Sequence, residues 1–383
     1  MKQLFTPAAS SMTSMMGVMV SAKPNLSPPF GETAFCRRLT LAGARHHLKV
    51  YVFTEEGILD SGPGIEGYQY IRGNWLSGSF PVPDIIYDRV SHRDPCQLQL
   101  TRQRLDRLTE DGRPLQYLAR GLSGKWNVYQ SLKRQESFLP HLPRTAKYSS
   151  SIQLARWLLQ HNNEVFLKPH SGTHGKLTLH VRLVNEHQHL MLTGRDRNNV
   201  LFHKHFQDWE TGAAWIDRFI GKRTFIIQPY LQLTSTDGRP FDVRVLMQKN
   251  ESGRWSLTGM AVRLGEQDSV TSNLHGGGTA VQADRYLTRE FGESASASIL
   301  GTLRRLSADI PEYLESCFGR LAELGIDFGI DRESRVWIIE VNSKPGRSAF
   351  FQIGDQMSAF KSIENPILYA RYLWLRQLRR VNS

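Results

Sequence analysis

Between Gly17 and Phe53 the spacing of apolar positions changes twice. An apolar run gives way to a loop holding Pro24, Pro28 and Pro29, then to a helix-like stretch from Glu32 to Ala44, then to the β-rich run LKVYVF. Strand, helix and strand in that order predict a β-α-β unit. Such units build parallel, doubly wound sheets, so residues 1 to about 100 are expected to form a small α/β domain. PVPDIIYDRV predicts a further strand from Asp84 to Arg89. Leu98, Leu100, Leu105, Leu108 and Leu115 recur among charges and fit a helical connector from Leu98 to Leu118.

From Leu122 onward the pattern differs. A helix is followed by strand pairs: VFLKP at 165–169 and LTLHVRLV at 177–184, then RTFIIQPYLQL, FDVRVLMQK and RWSLTGMAVRL, with Asp237-Gly238 and Ser252-Gly253 as turn signals. A helical pattern runs from Ser296 to Leu324, and IDFGID and RVWIIEVN follow as two strands joined by a turn. The second region is therefore expected to be α+β with antiparallel sheets.

The 383 residues suffice for two or three domains, and 40% hydrophobic with 22% charged residues is ordinary for a globular chain. Three scattered cysteines, Cys36, Cys96 and Cys317, describe neither a disulfide framework nor a Cys-rich zinc site, and a reducing cytoplasm is the expected location. No stretch approaches the ~20 apolar residues of a membrane span. Met12 to Val20 is interrupted by Thr13, Ser14 and Gly17 and reads as a buried strand, not as a signal peptide. The 48 basic against 36 acidic residues give +12. Residues 101–147 hold ten Lys or Arg and four Asp or Glu, half of that excess in an eighth of the chain, which favours a polyanionic partner. Nucleic acid is disfavoured because the chain lacks the interleaved basic and aromatic residues of a single-strand groove.

Three glycine-rich segments have the composition of phosphate loops. Gly62-Pro63-Gly64-Ile65-Glu66-Gly67 matches the dinucleotide spacing, but Pro63 stiffens it and no helical pattern follows. Ser171-Gly172-Thr173-His174-Gly175-Lys176 joins strand to strand and fits a flap whose backbone N–H groups face a triphosphate, with Lys168 just ahead of it. Gly276-Gly277-Gly278 indicates only a close approach of backbone. Asp327, Asp331, Glu340 and Asn342 lie on two strands linked by a turn, and Glu340 and Asn342 share a strand face. Their oxygens suit a hard cation such as magnesium, although Asp331 with Arg332 equally suits a plain hairpin turn. The pairs His187 with His189 and His203 with His205 lack a third ligand at zinc spacing.

The order of these motifs resembles the ATP-grasp superfamily. The resemblance implies a Rossmann-like pre-ATP-grasp α/β domain with its basic connector over 1–110. An α+β ATP-grasp domain would follow over 111–383, with a glycine-flap subdomain at about 122–226 and a metal-binding subdomain at about 227–375. By the same resemblance Lys125 and Lys168 hold nucleotide, together with Ser171, Gly172, Thr173 and Gly175 of the flap. Gln228, Tyr230 and Leu231 form the adenine hinge. Arg244 of the Asp242-Val243-Arg244 element and Arg263 with Asn273 serve the phosphates and the acyl-phosphate, and Asp327, Glu340 and Asn342 hold Mg2+, with Mn2+ as the alternative ion. The ribose carboxylate of many such enzymes has no counterpart, since Gln232 and Thr234 occupy the nearby positions. KVYVF, WLSGSFPVPDIIYDR, SGKWNVYQSL, FDVRVLMQK and IIEVNSKPGR together are similar to the YheC/YheD endospore coat-associated family of spore-forming bacteria. What that implies is an ATP- and magnesium-dependent carboxylate ligase working through an acyl-phosphate. Its substrate and acceptor are unidentified, with an acidic peptide or a spore-coat component as the favoured partner. The rival is an ATP-binding assembly protein of the spore coat that turns nothing over. The residues leave the oligomeric state open.

Overall fold

The computed structural model describes residues 14–59, 64–90, 95–108, 115–172, 175–184, 189–267, 269, 271–272, 274 and 277–381. The chain divides into two compact units. One comprises Met1–Arg120, Lys249–Arg254 and Ile363–Ser383; the other comprises Gly121–Gln248 and Trp255–Ser362.

The first unit holds β1 (Met15–Val20), α1 (Thr33–Arg45), β2 (Lys49–Ile58), β3 (Ile65–Ile71), β4 (Asn74–Phe80), β5 (Ile85–Asp88) and α2 (Pro95–Arg107). Its sheet runs in the order β4-β3-β2-β1-β5. β1 is parallel to β2 and to β5, as the predicted β-α-β unit requires. The sheet is nevertheless mixed and not doubly wound, because β2, β3 and β4 form an antiparallel meander. Among the described residues no helix stands between β2 and β4, and Arg72 and Gly73, at φ 47° and 90°, make the tight hairpin turn that joins β3 to β4. α1 lies close on the sheet at Gly43, where a Cβ would come within 2.4 Å of Val50 and 2.6 Å of the Leu48 carbonyl. α2 ends well short of the predicted Leu118. Ile86 N donates to Gln116 O and Leu118 N to Ile86 O, at 2.7 and 2.8 Å, so the chain there is extended beside β5.

The second unit opens with α3 (Lys125–Leu132), a 3-10 turn at Glu136–His141, β6 (Ala146–Lys147), α4 (Ser151–Gln160), β7 (Glu164–Pro169), β8 (Leu179–Val184), β9 (His189–Arg195), β10 (Leu201–Phe206), α5 (Trp209–Ile220) and β11 (Phe225–Pro229). Its first sheet, β10-β9-β8-β7-β11-β6, is antiparallel throughout. Val165, Leu167, Leu179, Val181, Leu190 and Leu192 meet Leu154, Trp157 and Leu158 of α4 and Ile216 and Ile220 of α5 in one core. Ser150 and Asp208 cap these two helices by accepting from Gln153 N and Thr211 N at 3.2 and 2.8 Å.

The chain continues through β12 (Phe241–Lys249), β13 (Trp255–Leu264), β14 (Thr279–Gln282), α6 (Ala283–Phe291), α7 (Glu293–Phe318), β15 (Glu323–Ile330), β16 (Val336–Asn342), α8 (Ser348–Gln352) and α9 (Gln356–Val381). The second sheet runs β14-β13-β12-β15-β16. Ile299, Leu303, Leu306, Ile310 and Leu314 recur every three or four residues along α7, and this stripe joins Val243, Val245, Ile326 and Phe328 in the core. α7 stops before the predicted Leu324, at Gly319 with φ 81°, because Leu321 to Ile330 are wholly buried and go into β15. Among the described residues no helix is long and apolar enough to cross a membrane.

Candidate active site

Each sheet of the second unit packs one face into a core and turns the other toward a cleft of about 280 Å³, and on the second sheet that other face also packs Leu246 and Ala261 on Ala349 and Phe350. On β7 the period of two sends Val165 and Leu167 to the core and Phe166 and Lys168 to the cleft. On β12 the same alternation buries Val243 and Val245 and leaves Asp242 and Arg244 to line the cleft. β16 departs from strict alternation. Asp327 pairs with Glu340 while its neighbour Phe328 pairs with Ile338, so Ile339 is the extra residue of a bulge. Ile339, Glu340 and Asn342 all line the cleft, and Ile338 and Val341 stay in the core.

Most of the predicted site residues line this one cleft: Lys125, Lys168, Gly172, Gly175, Gln228, Tyr230, Leu231, Arg244, Arg263, Asp327, Glu340 and Asn342. Ser171 is exposed and does not line it. Thr173 and Asn273 lie outside the described residues, as does His174. Asp331 is turned to another task. It accepts from Glu333 N, Arg335 N, Arg335 Nε and Trp337 Nε1 at 2.8 to 3.1 Å and closes the β15–β16 hairpin. Of the two residues that stand where a ribose carboxylate was not found, Thr234 lines the cleft and Gln232 is exposed.

Lys125 starts α3. Its Nζ donates to the carbonyl of Gly172, at the foot of the glycine segment, at 2.6 Å and stands 3.4 Å from Glu340. His170, which the sequence did not single out, seats this helix: Lys125 N donates to its carbonyl and Trp126 N to its Nδ1, both at 3.2 Å. Burial, with Lys147 and Lys125 nearby, pushes the His170 pKa below the ordinary histidine value, which suits an unprotonated Nδ1 acceptor. Gly124 is needed here, since a Cβ would lie 2.6 Å from the His170 ring.

Lys168 is buried, with its Nζ 3.4 Å from the Ile339 carbonyl. Desolvation lowers its pKa to about 8; Glu340 and Asp327 oppose that shift and Lys125 adds to it. Phe166, Tyr230, Leu231 and Ile339 supply apolar surface to the cleft. Tyr230 stacks on His180 with centroids 3.6 Å apart, and His180 meets Glu164 at 3.0 Å. Gln228 donates to Thr145 Oγ1 at 2.8 Å.

The opposite wall is a row of alternating charge. Arg263 donates through Nε and Nη2 to Asp242, at 2.7 and 2.5 Å, and its Nη2 also stands 3.0 Å from Asp327 Oδ2. Arg244 donates to both oxygens of Asp327, through Nε to Oδ1 and through Nη2 to Oδ2, the latter at 3.0 Å. Ser272 donates to Asp242 at 2.5 Å. Burial by itself would raise the pKa of Asp327; Arg244 and Arg263 outweigh it and hold the carboxyl below its usual range. Burial likewise opposes the charge of Arg263, and Asp242 and Asp327 restore it. Gly325 makes room for Pro345, since a Cβ there would stand 2.8 Å from the Pro345 side chain.

This geometry bears on the metal that the resemblance implies. Glu340 and Asn342 present oxygen-bearing side chains to the cleft, but both oxygens of Asp327 are engaged by guanidinium groups. Among the described residues no three Asp, Glu, His or Cys side chains gather as a metal cage. Of the expected trio, Glu340 and Asn342 face the cleft, and Asp327 is turned to Arg244 and Arg263.

Comparison with known proteins extends these observations. Endospore coat-associated protein YheC of Bacillus subtilis is 26% identical over 317 residues, covering 82% of this chain and 84% of the relative. Endospore coat-associated protein YheD of the same organism is 29% identical over 323 residues, covering 81% and 67%. The crystal structure of the D-cycloserine synthetase DcsG is similar in fold, with a TM-score of 0.54 at 10% identity over 93% of this chain and 100% of that one. The profile of the YheC/D-like ATP-grasp family matches residues 115–373, which span both sheets of the cleft and its charged row. With more than half of its length matched, the chain belongs to the YheC/D-like ATP-grasp family.

Proposed function

We propose that the cleft binds ATP and that the protein is an ATP-dependent carboxylate ligase acting through an acyl-phosphate. The observation that carries this reading is the lining of one cleft by Lys125, Lys168, Arg244 and Arg263 together with Phe166, Tyr230, Leu231 and Ile339. The cations suit a triphosphate, and the aromatic and aliphatic lining suits a purine. A substrate carboxylate oxygen attacks the γ-phosphorus, the bond to the β,γ-bridging oxygen breaks, and ADP leaves. The acceptor nucleophile then attacks the acyl carbon and releases phosphate. Lys125 and Lys168 neutralise the phosphate chain, and Arg244 and Arg263 meet the charge on the transferred group. Its two curated relatives are called endospore coat-associated, so the spore coat is the proposed setting, and the basic excess favours an acidic peptide or polymer as substrate.

The test is a screen of phosphate and ADP release over amino acids and acidic peptides. Lys168→Ala and Glu340→Ala are expected to abolish ATP consumption with the melting transition retained, and full turnover by both variants would refute the reading. Self-association on ATP addition in a sedimentation run, with no product from any substrate, would instead favour the assembly role.

A further inference from the structure

We infer that Asp327 and Asp242 are positioning residues that hold Arg244 and Arg263 aimed at the terminal phosphate, and that Asp327 serves this purpose in place of ligating a metal ion. The inference rests on the nucleotide reading of the cleft and concerns how its charged wall works.

Three facts carry it. First, the carboxylate of Asp327 already has its natural partners: Arg244 holds it in a two-pronged arrangement and Arg263 shares Oδ2. Parallel N–H···O bonds of this kind fix direction as well as charge. Second, Asp242 does the same for Arg263 from the other side and is itself held by Ser272. A carboxylate on each side leaves Arg263 little freedom to swing, and Asp242 comes from β12, the strand that also carries Arg244. Third, all four residues are at least nine-tenths buried. A divalent ion moved onto Asp327 would need to displace Arg244, whose carboxylate partner among the described residues is Asp327, and Arg263, which would keep Asp242. Glu340 differs from Asp327 in each respect: it is partly open to the cleft, and its ion pair is a single contact to Lys125 at 3.4 Å.

The row therefore divides the labour of the hairpin that bears both carboxylates. Asp327 on β15 faces the arginines, and Glu340, its cross-strand partner on β16, faces the nucleotide side with Asn342. A guanidinium already oriented reaches the transferred group without paying for reorganisation when charge develops.

The experiment uses the full chain, Mn2+ as the metal probe, and adenylyl imidodiphosphate and ADP as nucleotides. Mn2+ binding is read by electron paramagnetic resonance in the presence of the triphosphate analogue, and the two nucleotide affinities by calorimetry. Asp327→Asn is expected to change Mn2+ affinity less than about threefold, whereas Glu340→Gln lowers it more than about tenfold. Both Asp327→Asn and Asp242→Asn are expected to lose about tenfold of the preference for the triphosphate over ADP, the scale of one charge-assisted hydrogen bond. Loss of Mn2+ binding in Asp327→Asn to the extent seen in Glu340→Gln would overturn the inference. Should Asp327→Asn fail to fold, Asp242→Asn decides: an unchanged triphosphate preference in that variant overturns the inference. A wild-type protein that binds neither nucleotide overturns the nucleotide reading itself, a result distinct from either of these.

Discussion

On the wall of the cleft built from β12, β13, β15 and β16, Arg244 and Arg263 are buried with Asp327 and Asp242 interleaved between them. On the wall built from β7 and β11, Lys168 is equally buried, and among the described residues its Nζ has only the Ile339 carbonyl at 3.4 Å. The first wall is charge-balanced before any ligand arrives, and the second is not. Burying a paired charge costs little beyond desolvation, whereas burying an unpaired one stores a penalty that an anion can remove. Removing charge from the two walls should therefore have opposite effects on the ligand-free protein.

The largest effect is expected on the balanced wall. Asp327→Ala leaves two buried guanidiniums without their shared partner, and the loss should be about 3–5 kcal/mol in urea unfolding at neutral pH. A loss below about 1 kcal/mol would mean that the row is not a unit. Lys168→Met should act the other way. Its pKa of about 8 lies some 2.5 units below the ordinary lysine value, equivalent to a penalty on the order of 3 kcal/mol for holding the proton in the folded chain. Methionine keeps much of the volume without the charge, so the variant should gain stability while nucleotide affinity collapses. The gain has a definite pH dependence. Between about 8 and 10.5 the unfolded wild-type chain binds more protons at this lysine than the folded one, so the wild type becomes relatively more stable as pH rises through that window. The advantage of Lys168→Met should be full below pH 8 and vanish near 10.5. A variant less stable than the wild type at pH 7 would break the comparison between the walls.

Much of this cleft was legible in the sequence because its parts are local. Lys168 precedes a glycine-rich turn, and Glu340 and Asn342 share a strand face; both follow from the period of two. What the sequence did not reveal is non-local. The clasp of Arg263 between Asp242 and Asp327 joins residues on three strands, up to 85 positions apart by the difference of 327 and 242, and nothing in the linear pattern pairs them. The bulge that turns Ile339 into the cleft arises from the register of β15 against β16, which depends on the packing of both. The hairpin β9–β10 and the helices α4 and α5 were not predicted either; their apolar positions, such as Leu154, Trp157, Ile216 and Ile220, become a core only against the sheet. In the first unit the parallel pairing of β1 and β2 followed from the β-α-β pattern, but the meander through Arg72-Gly73 did not, because that turn carries none of the commonest hairpin dipeptides.

The smallest of the expected effects is the most specific to the unbalanced wall. In the free protein Lys168 gives up its proton near pH 8, and a polyphosphate beside it must raise that pKa, since an adjacent anion favours the charged form. Nucleotide binding should then take up a proton above pH 8 and none well below it. The affinity for ADP is expected to be level up to about pH 8 and to fall by about tenfold per pH unit beyond it, until the pKa of the bound state is reached. Calorimetry at pH 9 in two buffers of different ionisation enthalpy counts the proton directly. Lys168→Arg offers the sharper contrast, because a guanidinium does not titrate in this range, and its affinity, whatever its absolute value, should stay level across the same window. An equal decline in both proteins would assign the proton to another group and remove the distinction between the two walls.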